Sequence, residues 1–470
     1  MSDQSDNIDS AVTSSVDIDK QHVDALRLAI AAEDGAVLRQ LLSKEHPAEL
    51  ADRFEQLSGD DQALLVELAP DVISPALLAE LEDEVVEDIL PLLEPGQISK
   101  AMKELDSDDA IQIFEELPKD RRAQVLADLP EQDRKEIEDG FACDEETAGR
   151  LMQREFVAAP EFWSVGQTID HMRMQHRQGE GRQGGDNLPD KFFDIYVIDA
   201  HFHPLGYIPL STLMRCESDQ VLKNIMDTNL TVIEPDLDQE DVAYLFEKFH
   251  LISAPVLDAD GRLSGMITVD DIVEIIQDEH TEDMLALAGV NEAGLVDTVW
   301  STVKARAPWL FINLLTAIGA SLIIAQFQKE IEQLVALAVL LPIVASMGGN
   351  TGTQALAVAI RALATRDLTS ANAVRVIRRE ALAATANGLI FAVVLGGITY
   401  AWFGRPKLAL VIAAALVFNL FCAGLAGILV PLGLKKVGAD PAVASTVFVT
   451  TVTDVIGFLA FLGLASLFLL

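Results

Sequence analysis

Between residues 308 and 470 the chain carries five long apolar runs, Pro308–Gln326, Leu334–Ile360, Ala381–Trp402, Leu408–Leu432 and Pro441–Leu470. Each approaches or exceeds the roughly 20 residues that a helix needs to cross a bilayer. Hydrocarbon offers no water to backbone N–H and C=O groups, so runs of this kind cross as helices. An odd number of crossings puts the two chain ends on opposite sides. Lys304, Arg306, Arg361, Arg366, Arg375, Arg378, Arg379, Lys435 and Lys436 flank one side, and only Lys329, Arg405 and Lys407 flank the other. The excess of basic residues predicts a cell (inner) membrane protein with its N-terminal half in the cytoplasm and Leu470 outside.

Charge divides the chain at the same place. Residues 300–470 hold 12 Lys+Arg and 6 Asp+Glu; the whole-chain totals of 34 and 73 leave 22 and 67 for residues 1–299. An acidic half of net charge −45 thus precedes a mildly basic apolar half. Such a surface excludes nucleic acid as a partner, because phosphate contacts need Lys and Arg. It suits divalent cations. Cys143, Cys216 and Cys422 form no Cys-x-x-Cys, so neither a disulfide framework nor a zinc knuckle is expected. Residues 1–20 are rich in Ser and Asp without an apolar core, which predicts a disordered acidic tail and no signal peptide.

Residues 21–144 read as short amphipathic helices. Apolar residues recur at helical spacing through Leu26, Ile30, Leu38 and Leu42, and Asp60-Asp61, Pro118-Lys119-Asp120 and Pro130-Glu131 mark helix starts. The similar segments Asp108–Leu117, Arg121–Leu129 and Gln132–Phe141 predict an all-α superhelical N domain built from a helical repeat. Beyond Thr147 short β-branched runs alternate with helices. Asp194–Asp199 reads as a strand, Pro204-Leu205-Gly206 as a turn and Tyr207–Leu210 as a second strand. The order returns in Ile252–Asp258, Asp260-Gly261, Leu263–Thr268 and the helix opening at Val269. Two such copies resemble an α/β tandem CBS module, over 145–215 and 216–278, with a flexible insertion at Arg177–Lys191 in the first. Residues 279–306, with a second helix from Glu292 to Arg306, are expected to connect to an α-helical transmembrane domain over 307–470.

Asp454 lies inside the last apolar run, beside Val452, Val455 and Ile456. A carboxylate at bilayer depth costs about 2.5–3.5 kcal/mol, so it normally faces a partner, a cavity or an ion. Thr446 and Thr450 precede it by eight and four residues, on the same side of a helix. Two readings fit this face: a hydrogen-bonded acid that glues helices, or a cation site in a permeation path. The cost of the charge favours the second. The second run contains Pro342 and the stretch Gly348-Gly349-Asn350-Thr351-Gly352-Thr353-Gln354. Pro removes a helix hydrogen bond and Gly weakens a helix, so an interrupted span with freed carbonyls is expected. Carbonyls, Asn350 and Gln354 are hard oxygen donors suited to a hydrated cation; close helix packing through small residues explains the same glycines.

Several stretches together resemble the MgtE family of magnesium channels. They are Pro342 followed by Gly348-Gly349-Asn350 and Arg361-Ala362-Leu363-Ala364; Asp440-Pro441-Ala442 followed by Asp454-Val455; Glu146–Met152; and Thr268-Val269-Asp270-Asp271 leading to Thr281-Glu282-Asp283. The resemblance runs over nearly the whole chain after the tail. It implies a homodimer whose pore lies on the two-fold axis between the second and fifth spans, where Asp454 matches the pore acid. Magnesium sheds water reluctantly, so Asp454, Thr450, Thr446 and Asn350 would hold it through its water shell. The resemblance also implies regulatory Mg²⁺ at Asp271, Glu274, Glu279, Glu282 and Asp283, closing the pore through a connecting plug helix. Thr446-Val447 departs from the family, which often has a small residue followed by Pro there.

Thr268 and Asp271 also fit the Thr-x-x-Asp with which CBS domains hold ribose, making ATP or another adenine nucleotide a candidate ligand. His201-Phe202-His203 would place two imidazoles on one strand face, too few for a zinc site. No Walker or Ser-His-Asp pattern points to an enzyme or an ATP-driven pump. An exchanger coupling Mg²⁺ to Na⁺ or H⁺ is the alternative to a channel.

Overall fold

The computed structural model describes residues 21–43, 45–179, 188–189, 191–288, 290, 299–368, 372–438 and 441–469. The N-terminal tail, most of the insertion, residues 292–298 of the expected connecting helix and Asp440 lie outside the described residues. The chain divides into two compact units, Met1–Ile276 and Gln277–Leu470.

The first unit begins with short helices whose starts are written in the sequence. Asp34, Ser58 and Ser74 accept hydrogen bonds from the first free amides of Gly35–Leu42, Gly59–Leu68 and Pro75–Glu80. Pro47, Pro75 and Pro95 stand at first helical positions, where no N–H is needed. The expected trio falls at Ser107–Glu116, Lys119–Asp128 and Glu131–Phe141. Phe54, Leu65, Leu77, Ile89, Ile98 and Ile111 bury one face of each helix in a continuous core.

The CBS copies follow. Strand β1 (Ala158–Pro160) pairs parallel with β2 (Asp194–Ile198), which pairs antiparallel with β3 (Pro204–Pro209). Strands β4 (Ser253–Leu257) and β5 (Leu263–Thr268) form the second antiparallel pair, and Ile233 bridges Val256 in parallel as β1 does in the first copy. The turn expected at Pro204-Leu205-Gly206 lies earlier. Asp199 Oδ1 accepts the amides of His201 and His203 and closes the hairpin there, leaving Pro204 to open β3. His201 and His203 are therefore on a turn and not on a strand face. The Glu146–Met152 motif is a docking element. Ala148 and Gly149 amides donate to Leu237 and Pro235 carbonyls, and Arg150 stacks on Phe141 and pairs with Glu115 of the helical domain.

Among the described residues of the second unit, five helices are long and apolar enough to span: Thr302–Gln326, Ala336–Ala364, Ala373–Phe403, Pro406–Lys436 and Thr446–Phe468. The first continues a helix that starts at Val299. The second is one uninterrupted helix, against the expectation of a break. Two of its three glycines are packing contacts, and Gly349 faces open space. Gly348 lies against Asn419 of the fourth span, and a Cβ on Gly352 would stand 2.6 Å from Val449 Cγ1 of the fifth. Backbone hydrogen bonds are too valuable in hydrocarbon to release, and the missing side chains let helices approach. Gly352→Leu is expected to separate the second and fifth spans, costing about 1–3 kcal/mol by overpacking. A lowered melting temperature in detergent checks it.

Candidate cation sites

The fifth span carries its hydroxyls as the spacing predicts. Thr450 Oγ1 donates to the Thr446 carbonyl at 2.8 Å, and Thr453 Oγ1 to the Thr450 carbonyl at 2.9 Å. Thr453 is fully buried, facing Gly352 of the second span. Asp454, one position on, is half-buried and has no hydrogen-bond or ion-pair partner among the described residues. Helix glue requires such a partner, so that reading loses its support. On the second span, Ser346, Asn350, Thr353 and Gln354 are exposed, opposite the buried Val344, Gly348, Gly352 and Leu356. The Asn350 amide reaches only Ser346 Oγ, at 3.5 Å. Among the described residues of one chain, no protein covers this polar stripe.

The head of the hydroxyl face is occupied. Thr446 Oγ1 donates to the Leu287 carbonyl at 2.9 Å. Ala286 is buried among Leu356, Ile360, Ala442 and Val449 of the second and fifth spans. Residues 286 and 287 end the helix Val269–Leu287, which runs on without a break from the second CBS copy. That helix carries Asp270 and Asp271 in its first turn and Glu274, Glu279, Glu282 and Asp283 further along.

Within the first unit, Asp271 faces carboxylates that the sequence pattern does not single out. Burial, then Asp109 and Asp271, push Asp108 well above the usual carboxylate range. Burial raises Asp109 to about 7, with Asp106, Asp271, Glu274 and Glu80 adding to the shift. Burial raises Asp271 too, opposed by the Thr268 hydroxyl, which donates to its Oδ2 at 2.8 Å. No Lys or Arg pairs with Asp108, Asp109 or Asp271 among the described residues. The helix starting at Ser107 is held there by Glu155, whose carboxylate accepts the Ser107 amide and hydroxyl at 3.1 and 2.9 Å. Like charges gathered without a counter-ion are a donor set for a hard divalent cation. The Asp106-x-Asp108-Asp109 run is the available signal, but similar acids open several helices of this domain.

A cavity of about 630 Å³ opens between the CBS copies, lined by Phe192, Tyr196, Tyr207, Phe249, Asp194 and Ser253 among others. Ser253 Oγ donates to Asp194 Oδ2 at 2.7 Å and bonds the Tyr196 hydroxyl at 2.8 Å. Thr268 and Asp271 do not line it, and the first copy has Pro209 and Thr212 at the corresponding positions after Gly206. Its aromatic wall suits a flat ring, but its lining offers no Lys or Arg to a triphosphate.

Helical and CBS domains rich in carboxylates, followed by five candidate spans with a polar, acid-bearing helix pair, have the layout of a multi-pass cation transporter. Three family descriptions match in the same order: the MgtE intracellular N domain over residues 45–146, the CBS domain over 222–278, and a divalent cation transporter domain, MgtE, over 341–464. The magnesium transporter MgtE of Thermus thermophilus is 32% identical over 451 residues, covering 95% of this chain and 98% of its own. That of Bacillus subtilis is 29% identical, covering 94% and 97%. The chain belongs to the MgtE family of magnesium transporters. A crystal structure of the cytosolic domain of the Mg²⁺ channel MgtE in complex with ATP is 26% identical with a TM-score of 0.48, over 54% of this chain and 99% of that one.

Proposed function

We propose that the protein is a Mg²⁺ channel, closed from the cytoplasm when Mg²⁺ binds its acidic half. The observation that carries this reading is the seating of Ala286 and Leu287 on the Thr446 end of the face that leads to Asp454. A segment lodged there blocks a path along that face, and the same helix begins among Asp108, Asp109 and Asp271. Glu274 joins that cluster, and Glu279, Glu282 and Asp283 carry the acidic surface toward the seated end. Mg²⁺ among these carboxylates holds the packed arrangement; without it, their repulsion favours release.

One Asp454 cannot surround a hydrated ion. A homodimer supplies two on a two-fold axis, and the uncovered Ser346–Asn350–Thr353–Gln354 stripe is the surface it would line the pore with. Exposed Leu310, Phe311, Leu314 and Leu322 of the first span suit lipid. The basic flanks orient the N-terminus to the cytoplasm. The CBS cavity would take the ring of an adenine nucleotide, with phosphates left outside it.

Flux of Mg²⁺ into liposomes, with and without a Na⁺ or pH gradient, tests the channel: dependence on either gradient establishes an exchanger instead. A second expectation follows from the raised carboxylates. Asp109 sits near 7 when packed and near the ordinary 3.8 when not, so packing is favoured while it is protonated and weakens as pH rises through that interval. In chelator, lowering pH from about 8 to about 6 should protect residues 269–287 from protease, as bound Mg²⁺ is also expected to do. Protection that is unchanged, or that falls on acidification, rejects the cluster.

A further inference from the structure

We propose that Asp199, His201 and His203, on the β2–β3 turn, form a binding site for a borderline transition-metal cation of the Zn²⁺, Ni²⁺ or Co²⁺ class, separate from every Mg²⁺ site above. One ligand atom from each of the three lies within 4.8 Å of the others. The two imidazole centroids are 6.0 Å apart. Two imidazoles on one tetrahedral ion stand about 5 Å apart, so rotamer adjustment suffices. The turn is built in a way that aims the ligands. Asp199 uses Oδ1 to accept the amides of His201 and His203, at 2.7 and 2.9 Å. Its Oδ2 is left facing His203 Nδ1 at 3.0 Å. His201 is exposed and closes the third side.

The donor set decides the ion. Two imidazoles and one carboxylate suit Zn²⁺, Ni²⁺ and Co²⁺, whereas Mg²⁺ takes oxygen ligands and keeps its waters. Three protein ligands leave one position open to water or a further group. The sequence shows only the two histidines; Asp199 joins them because it closes the turn.

The test uses full-length protein in detergent, without a histidine tag and with millimolar Mg²⁺ present to occupy oxygen-only sites. Zn²⁺ binding is followed by calorimetry and Co²⁺ binding by its ligand-field absorption. We expect one equivalent per chain in the wild type, with affinity reduced tenfold or more in His201→Ala and again in His203→Ala. The Co²⁺ band should be lost in the double variant while Mg²⁺-dependent protease protection is retained. Absence of stoichiometric Zn²⁺ uptake by the wild type, or unchanged uptake and spectrum in the double variant, overturns the proposal.

Discussion

Asp454→Ala is expected to reduce Mg²⁺ flux into liposomes to background while the protein still inserts and assembles. The side chain makes no hydrogen bond or ion pair among the described residues, so its removal breaks no contact within the chain. Burying its charge costs about 2.5–3.5 kcal/mol on insertion scales, so the variant should be no less stable than the wild type. A residue that stabilises nothing and carries that cost is retained for what it attracts. Two copies across a two-fold axis would hold a hydrated ion through its waters. Asp454→Asn keeps the shape and hydrogen-bonding capacity but not the charge, and should fail equally. The helix-glue reading gives the reverse pair of results, with flux retained and a lower melting temperature. Flux and melting temperature measured on the same preparation therefore separate the two readings, and undiminished flux in Asp454→Ala removes Asp454 from the pore.

Legibility follows the range of the forces involved. The five spans are readable because a bilayer imposes both length and apolarity on each segment alone. The short helices of the first domain are readable from local caps such as Ser58 and Ser74. Asp454 stands out because its surroundings are apolar in sequence as well as in space. The glycines of the second span mislead because a helix penalty measured in water does not carry into hydrocarbon. There the backbone holds its hydrogen bonds, and Gly348 and Gly352 gain close contacts instead. Pro204 has the look of a turn residue, although Asp199 closes the hairpin five residues earlier. Asp108 and Asp109 are unreadable as members of a carboxylate cluster. They resemble ordinary acids in a helix's first turn until Arg150, Ser107 and Glu155 dock the helical domain on the CBS copies and bring them to Asp271.

Neutralising Asp271, Glu279, Glu282 and Asp283 together is expected to give an over-active channel. Were they pore residues, flux would fall; were they a solvated face, flux would hardly change. Bridging ligands behave differently, because a ligand shifts an equilibrium only by its differential affinity for the two states. Without these carboxylates Mg²⁺ no longer prefers the arrangement that seats Ala286 and Leu287 on the fifth span, and the pore stays open at high Mg²⁺. One effect opposes this. Removing acids also relieves the repulsion that opens the Mg²⁺-free protein, most of all beside Asp108 and Asp109, whose raised carboxylates feel Asp271 directly. Burial already shifts Asp108 and Asp109 toward their protonated forms, which limits that repulsion, and the more exposed Glu279, Glu282 and Asp283 are screened within about 8 Å at physiological salt, whereas loss of direct ligation is not screened, so the loss of closure should dominate. Half-closing Mg²⁺ should rise at least tenfold, equivalent to about 1.4 kcal/mol of lost coupling. Asp108→Asn with Asp109→Asn, on the opposite wall of the same cluster, should shift closure in the same direction. Patch recording with Mg²⁺ varied on the side of the acidic domains reads the effect. Closure at the wild-type Mg²⁺ concentration in both variants would mean that the sensor lies elsewhere.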